Sequence, residues 1–488
     1  MKKHTPPLLL AALGLAPGVH ADPSPVTPCS GSCAADPAAT DPVTQDPGTA
    51  DSVSAPVPTV ARTSASTPAS AAALNKDETW SAHAQATYTW QYHPAFTSPY
   101  QGGNSLGSAA SSRETADLTL FLGGRLWQGA ALYVDPEIDQ GFGLSDTLGV
   151  AAFPSGEAYK VGSVSPYFRL QRLFLRQVFD LGGATMDVDP DANQLGGRET
   201  ANRLTLTVGK FSVTDLFDTN TYAHDPRSDF LNWAIVDAGA FDYAADAWGY
   251  SLGAAAELAL GRWTARAGLF NLSDVPNSTT LGRNFDQFEA LTELEERHSL
   301  GGQPGAVRLL GWLNRGRMGS YDDALALGET TGTTPDTAAV RRYTSRPGVV
   351  LNLEQQLCAG LGVFARWSAD DGSEEAYEFT EINRSLSLGA ALDGNPWHRA
   401  GDQIGLAAER AWLSADARHY LAAGGLGILI GDGKLPHYGD EDVIELYYSA
   451  RITPHLILTA DYQHIDNPAY NRDRGPVAVT GLRLHTEF

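Results

Sequence analysis

In the stretch Arg172-Leu-Phe-Leu-Arg-Gln177, charge and apolar bulk alternate, so that in a strand Arg172, Phe174 and Arg176 share one face while Leu173 and Leu175 share the other. A guanidinium is a rigid fork of hydrogen-bond donors, a carboxylate is a pair of acceptors, and an aromatic ring is a flat apolar surface. Together they suit reversible recognition of a polar solute, whose groups exchange water for fixed partners. By the same alternation Arg125 and Arg203 lie on polar faces of nearby segments, and Asp135 and Glu137 do so if Leu132 and Val134 face the other way. Facing acceptors are expected in Glu137 and in the connection 212–245, at Asp215 and Asp218. The alternative is a solvated wall on which such charges hold water and brace neighbouring strands. Arg262, Arg266, Glu354, Arg366, Glu445, Arg451, Asp461, Arg483 and Glu487 have the same parity and fit that second reading.

Elements able to carry such faces begin at Trp80. From there the chain breaks into short stretches of period two bounded by Gly, Asn, Asp and Pro. Leu118, Leu120, Leu122 and Leu126 oppose Thr119, Phe121 and Arg125, and Leu204, Leu206 and Val208 oppose Arg203, Thr205 and Thr207. Leu456, Leu458, Ala460 and Tyr462 likewise oppose Thr459, Asp461 and Gln463. Strands are expected near 80–92, 116–126, 130–138, 166–179, 201–211, 246–258, 262–270 and 286–298. The second half continues near 306–315, 347–356, 361–368, 382–390, 402–410, 443–452, 456–465 and 477–488. The stretch around Phe285, Phe288, Leu291 and Leu294 also has helical spacing, but it runs into Gly301-Gly-Gln-Pro-Gly305 and a strand-like partner, which favours a hairpin.

A soluble β-sandwich alternates in the same way, so three further features decide. The strands number about sixteen, an even count, and many are about 9 to 11 residues long, enough to cross a bilayer at a tilt. Connections alternate between short turns, such as Trp127-Gln-Gly129, Ala259-Leu-Gly261, Leu357-Cys-Ala-Gly360 and Thr453-Pro-His455, and long ones near 139–165, 212–245, 316–346 and 411–442; the long turn near 182–198 breaks the rule. Finally, Phe488 ends the chain in phase with Leu482 and Leu484. The expectation is an all-β transmembrane antiparallel barrel with long extracellular loops and short periplasmic turns. Trp248 and Tyr250, in phase with Leu252, and Trp367, in phase with Leu361 and Val363, are expected in an interfacial aromatic girdle; a buried sandwich core is the alternative.

The first twenty-one residues carry Lys2 and Lys3, an apolar run from Leu8 to Leu15, and Val19-His-Ala21, the pattern of a secretory signal peptide cleaved after Ala21. Residues 22–79 form a Pro/Ala/Ser/Thr-rich extension, expected to be disordered and periplasmic because its apolar content cannot offset the entropy of ordering. A Cys29–Cys33 disulfide is compatible with an oxidising compartment. The net charge of −23 argues against nucleic acid as a partner. His and Cys at ligand spacing are lacking, as are G-x-S-x-G, H-E-x-x-H and P-loop motifs, so no catalytic residue, cofactor or metal site is assigned.

Three segments carry a family resemblance: Pro136-Glu-Ile-Asp-Gln-Gly-Phe-Gly-Leu-Ser-Asp-Thr147, the run from Val208 through Lys210-Phe-Ser-Val-Thr-Asp-Leu-Phe-Asp218 to Pro226 and on to Trp248, and Asn467-Pro-Ala-Tyr-Asn-Arg-Asp-Arg-Gly-Pro476. They resemble the signature segments of the OprB-type carbohydrate-selective porins from about residue 80 to the C-terminus. The chain departs from the expected wording at Ala151-Ala-Phe-Pro154, where Gly would precede Phe153. The resemblance implies a sixteen-stranded barrel in the outer membrane of a Gram-negative bacterium, in contact with its lipid, passing glucose and similar monosaccharides by facilitated diffusion. It also implies a constriction where inward loops meet charged wall residues, and a C-terminal strand read by the barrel assembly machinery through Phe488. The rival readings are a general or anion-preferring diffusion porin, an exported glycoside hydrolase using paired carboxylates, and a secreted β-sandwich lectin or adhesin.

Overall fold

The computed structural model describes residues 78–158 and 162–488; the signal peptide, most of the N-terminal extension and the Cys29–Cys33 pair lie outside the described residues. The first nine strands are β1 (Trp80–His93), β2 (Ser111–Trp127), β3 (Ala130–Gly141), β4 (Ser163–Asp180), β5 (Thr185–Val188), β6 (Gly197–Thr200), β7 (Arg203–Phe211), β8 (Ser251–Leu260) and β9 (Trp263–Asn271). The remainder are β10 (Phe288–Leu300), β11 (Gln303–Met318), β12 (Arg342–Cys358), β13 (Leu361–Asp370), β14 (Arg384–Asp393), β15 (Gln403–Trp412), β16 (Glu441–Thr453), β17 (Leu456–Asp466) and β18 (Val477–Glu487). All but β5 and β6 pair antiparallel with their neighbours in chain order and close into a 16-stranded barrel through β1 and β18. Each of the sixteen expected strands corresponds to one wall strand.

Closure follows from the alternation. Leu118, Leu120 and Leu122 point outward while Thr119 and Phe121 are buried, and Leu458 and Tyr462 point outward while Thr459, Asp461 and Gln463 are buried. No described helix is long and apolar enough to cross a membrane; the apolar band is made by strands, and a closed sheet leaves no edge unpaired in lipid. In β10 the apparent helical spacing dissolves in the pleat, with Leu291 3% exposed inside and Leu294 47% exposed outside.

One rim carries the short turns and the C-terminus, where Phe488 exchanges backbone hydrogen bonds with Ala84 (2.8 and 3.0 Å) and stacks on His455. The long connection on that rim, 181–202, contains the hairpin β5–β6. The opposite rim carries the long loops, and several fold into the barrel. Residues 230–245 are almost wholly buried there.

Two aromatic assignments need correction. Trp248 and Tyr250 are 8% and 5% exposed and lie inside, because β8 starts only at Ser251 and the residues before it belong to the inward loop. Trp367 does face outward, as do Trp80, Trp127, Phe179 and Trp263 at the ends of their strands on the turn rim.

Candidate functional site

β4 descends from the loop rim to the turn rim and supplies the charged row. Phe168 and Leu170 face outward, as does Leu173, so an odd number of residues has to be absorbed between them. The register of β4 against β3 shifts between the pairs Pro136–Leu170 and Asp135–Arg172, leaving Gln171 as the extra residue of a bulge. Gln171 and Arg172 therefore both turn inward, and Arg169, Arg172 and Arg176 line the lumen over roughly 20 Å of strand.

The partners of Arg169 and Arg172 come chiefly from the loop 212–250. Asp215 closes a capping box with Ser212, accepting from its backbone N–H at 3.0 Å, which fixes the carboxylate. Arg172 then donates from Nε and Nη2 to the two Asp215 oxygens at 2.8 and 2.6 Å. Its Nη1 lies 3.5 Å from Asp135, and the guanidinium sits 4.9 Å from the Tyr250 ring centre. One step towards the loop rim, Arg169 and Lys210 share Asp246, each at 3.0 Å. The Arg169 guanidinium lies over Trp248, 3.3 Å from the ring centre, and the indole donates to the Tyr167 hydroxyl at 2.9 Å. Beyond it a cavity of about 100 Å³ opens among Phe153, Trp233, Tyr243, Trp248 and Phe379, with Asp246 and Glu378 in its wall.

Glu137 meets the loop at a different place. It accepts from Thr119 at 2.5 Å and Gln171 at 2.9 Å, and lies 3.7 Å from Arg227, which also faces Asp117 and Glu157 at 3.4 Å each. Burial pushes the Glu157 carboxyl well above its ordinary range, with Arg227 opposing. Asp218 crosses to the far wall, where it meets Arg366 at 3.2 Å and accepts from Asn352 at 2.6 Å. Phe174 is buried against Tyr133 and Phe211. Arg125, Arg176 and Arg203 lie near the turn rim; Arg203 pairs with Glu199 at 3.2 Å, and Arg125 and Arg176 face the hairpin. Of the candidates, the structure thus joins Arg172, Asp135 and Asp215, sets Glu137 beside them, and places the others elsewhere.

The loop is held by its backbone as well as by these side chains, because a peptide in a polar lumen still needs partners for every N–H and C=O. Glu445 accepts from Leu231 and Asn232 (2.5 and 3.0 Å), Glu354 from Thr221 (2.6 Å), Glu293 from Asp218 (2.9 Å) and Glu289 from Ala244 (2.9 Å). Arg366 donates to the carbonyls of Ala223 and Ile235, and Arg483 to that of Asp229. At the departure from the family wording, Ala151 and Ala152 donate to Glu441 and Phe153 stacks on Trp233. Four of the residues read as lining, Glu354, Arg366, Glu445 and Arg483, anchor the loop, while Arg266 forms the cross-strand cluster with Glu257, Glu293 and Glu295.

Arg169, Lys210, Arg227, Asp246 and Trp248 were not among the candidates. Trp248 follows an acidic residue by two and was within sequence reach; Arg169 was not, since its inward aim depends on a bulge that alternation does not signal.

The family described as carbohydrate-selective porin, OprB family, matches residues 103–488. Porin AaxA of Chlamydia abortus is 25% identical over 365 residues, which cover 74% of this chain and 70% of that protein. Porin AaxA of Chlamydia caviae is 25% identical over 284 residues, 58% of this chain and 53% of that one. Among solved structures, the high-pH structure of Pseudomonas putida OprB superposes with a TM-score of 0.64 at 16% identity, covering 84% of this chain and 94% of that chain, and so shares the fold.

Proposed function

The chain belongs to the OprB family of carbohydrate-selective porins, integral β-barrel channels of the outer membrane, and on that premise we propose that it passes glucose and similar small sugars by passive facilitated diffusion. The observation that carries this reading is the row from Trp248 to Asp215: an aromatic face, the guanidiniums of Arg169 and Arg172, and the carboxylates of Asp246, Asp215 and Asp135, all within one short reach of β4. Such a row offers a hydroxylated solute the partly exposed Arg169, Arg172 and Asp215, with Asp246, Asp135 and Trp248 buried behind them. Because those groups also bond one another, each solute contact replaces an existing one, which keeps binding weak enough for release.

In this reading the loop rim faces the outside of the cell and the turn rim the periplasm, the arrangement usual for outer-membrane barrels. The extension 22–79 then begins on the periplasmic side, the outward leucines meet lipid, and Phe488 is the residue offered to the barrel assembly machinery. Liposome swelling tests the proposal. Detergent-purified protein should admit glucose faster than a neutral amino acid of similar size, whereas rates ordered by size alone would reduce it to a general diffusion porin.

A further inference from the structure

A second cavity, of about 980 Å³, lies on the turn side, away from that row. It is at the upper end of the range for small-molecule sites. The turn-rim ends of β2, β3 and β4 form one wall and the hairpin β5–β6 the other. The hairpin is fastened in place. Glu78 and Gly196 exchange hydrogen bonds, Glu78 N–H to the Gly196 carbonyl at 3.0 Å and Gly196 N–H to the Glu78 carboxylate at 2.7 Å. Asn193 donates from its side chain to Asp135 at 2.8 Å, and the Leu195 N–H donates to the Tyr133 hydroxyl at 3.3 Å.

Two arginines on the strand wall of this cavity have no carboxylate within ion-pair distance, a situation they share with Arg483, whose partners are the carbonyls of Pro226 and Asp229 and the Thr459 hydroxyl. Arg125 donates from Nε to the Glu78 carbonyl at 2.9 Å, and Arg176 from Nη1 to the Asn193 carbonyl at 2.9 Å. Arg176 is further seated between Tyr133 and Phe174, 5.3 and 5.4 Å from their ring centres. Arg172, Arg266, Arg308, Arg346 and Arg366 each meet a carboxylate. Among the described residues, Arg125 and Arg176 meet none; their partners are neutral carbonyls and rings. Of the carboxylates lining the cavity, Glu199 is taken by Arg203, and Asp180 accepts from the Thr200 hydroxyl and the Gly182 N–H. In a chain of net charge −23, two positioned guanidiniums with no carboxylate within ion-pair distance and with donors to spare form a receptor for an anion such as a carboxylate, which a guanidinium fork fits bidentately.

We propose that this turn-side cavity is a second solute site, selective for monosaccharides that bear a carboxylate, with Arg125 and Arg176 as the anion ligands. The proposal rests on the carbohydrate reading and extends it from neutral sugars to sugar acids. An anion arriving there gains charge-assisted hydrogen bonds without displacing an internal ion pair, which is the reverse of the situation at Arg172.

The test is the block of single-channel current by galacturonate and by glucose, added on the turn side of full-length protein in planar bilayers. Galacturonate is expected to half-block at a concentration about tenfold or more below that of glucose, equivalent to ~1.4 kcal/mol. The double variant Arg125→Gln/Arg176→Gln should raise the galacturonate value about tenfold more than the glucose value, with Arg176→Lys in between because it keeps charge but loses the fork. A stable ionic conductance in each variant shows that the barrel is assembled. Equal half-blocking concentrations for the two sugars in the unaltered protein, or variants that shift both alike, overturn the proposal. Inorganic phosphate blocking as well as galacturonate also overturns it, by removing any role for the sugar. The carbohydrate reading fails separately, when glucose influx into liposomes matches that of the size-matched amino acid.

Discussion

Arg172 on the wall and Asp215 on the inward loop meet through both arms of the guanidinium, at 2.8 and 2.6 Å, and a backbone N–H at 3.0 Å holds the same carboxylate from behind. The pair therefore joins the strand that lines the channel to the loop that narrows it. Both side chains remain partly exposed, at 17% and 27%, so on the proposed carbohydrate reading the pair is within reach of a passing solute.

Arg172→Ala should lower the preference for glucose over the size-matched amino acid by up to about tenfold, the effect of one or two net hydrogen bonds. Liposome swelling rates for the two solutes measure it. A preference that survives the substitution would move the selecting contact elsewhere.

Trp248→Ala removes the surface on which Arg169 lies and is expected to slow glucose influx severalfold. Trp248→Phe keeps a ring but loses the indole donor to Tyr167, and should fall between. Glucose-induced current block, read for all three proteins, ranks them.

Glu445→Ala leaves the N–H groups of Leu231 and Asn232 without their acceptor, at a cost of about 1–3 kcal/mol for each buried donor. The loop should loosen locally, giving noisier and larger single-channel currents and faster hydrogen exchange over residues 228–236. Glu445→Gln retains an acceptor oxygen and should restore part of the protection.

Asp237 closes the short helix α1 (Trp233–Val236). Burial, and then the charge of Asp218, push its carboxyl up to about 7, against the pull of Arg366 and the hydrogen bond from Tyr243; His224 lies 4.0 Å away and is held towards its neutral form by burial. The folded-state value exceeds the unfolded one, so the folded loop holds a proton that the unfolded loop has lost. Stability is full below the unfolded value, falls as pH rises, and levels off above about 7, with a slope of at most ~1.4 kcal/mol per pH unit. Hydrogen exchange over 230–245, corrected for its intrinsic rate, should show more protection at pH 5.5 than at pH 8, and Asp237→Asn should flatten the difference.

Most of the wall was legible because a barrel strand has only two faces, and Leu118 to Leu122 or Leu456 to Tyr462 leave little doubt about which is which. The lumen was harder to read. Asp215 could be matched to Arg172 by sign and by a loop that had to go somewhere, but Asp218, three residues on, crosses to Arg366, a contact set by three-dimensional loop shape. The alternation that identified strands also misled: Trp248 and Tyr250 keep phase with Leu252 without being in a strand. Gln171 shows the complementary failure, since a one-residue bulge resets the phase and no residue type announces it.

The anchoring of the inward loop by its main chain bears on how such a channel diversifies. Glu445, Glu354, Glu293 and Glu289 recognise amide groups that every residue except proline possesses. The fold of the loop is thereby specified by the wall, and many of its side chains are released from that duty. Substitutions at the partly exposed positions of the loop, such as Thr214, Thr219 and Ser228, can accumulate without collapse of the constriction, so that new solute preferences are reachable one residue at a time, in nature or in a designed library that leaves the wall glutamates and the buried stretch 229–246 untouched.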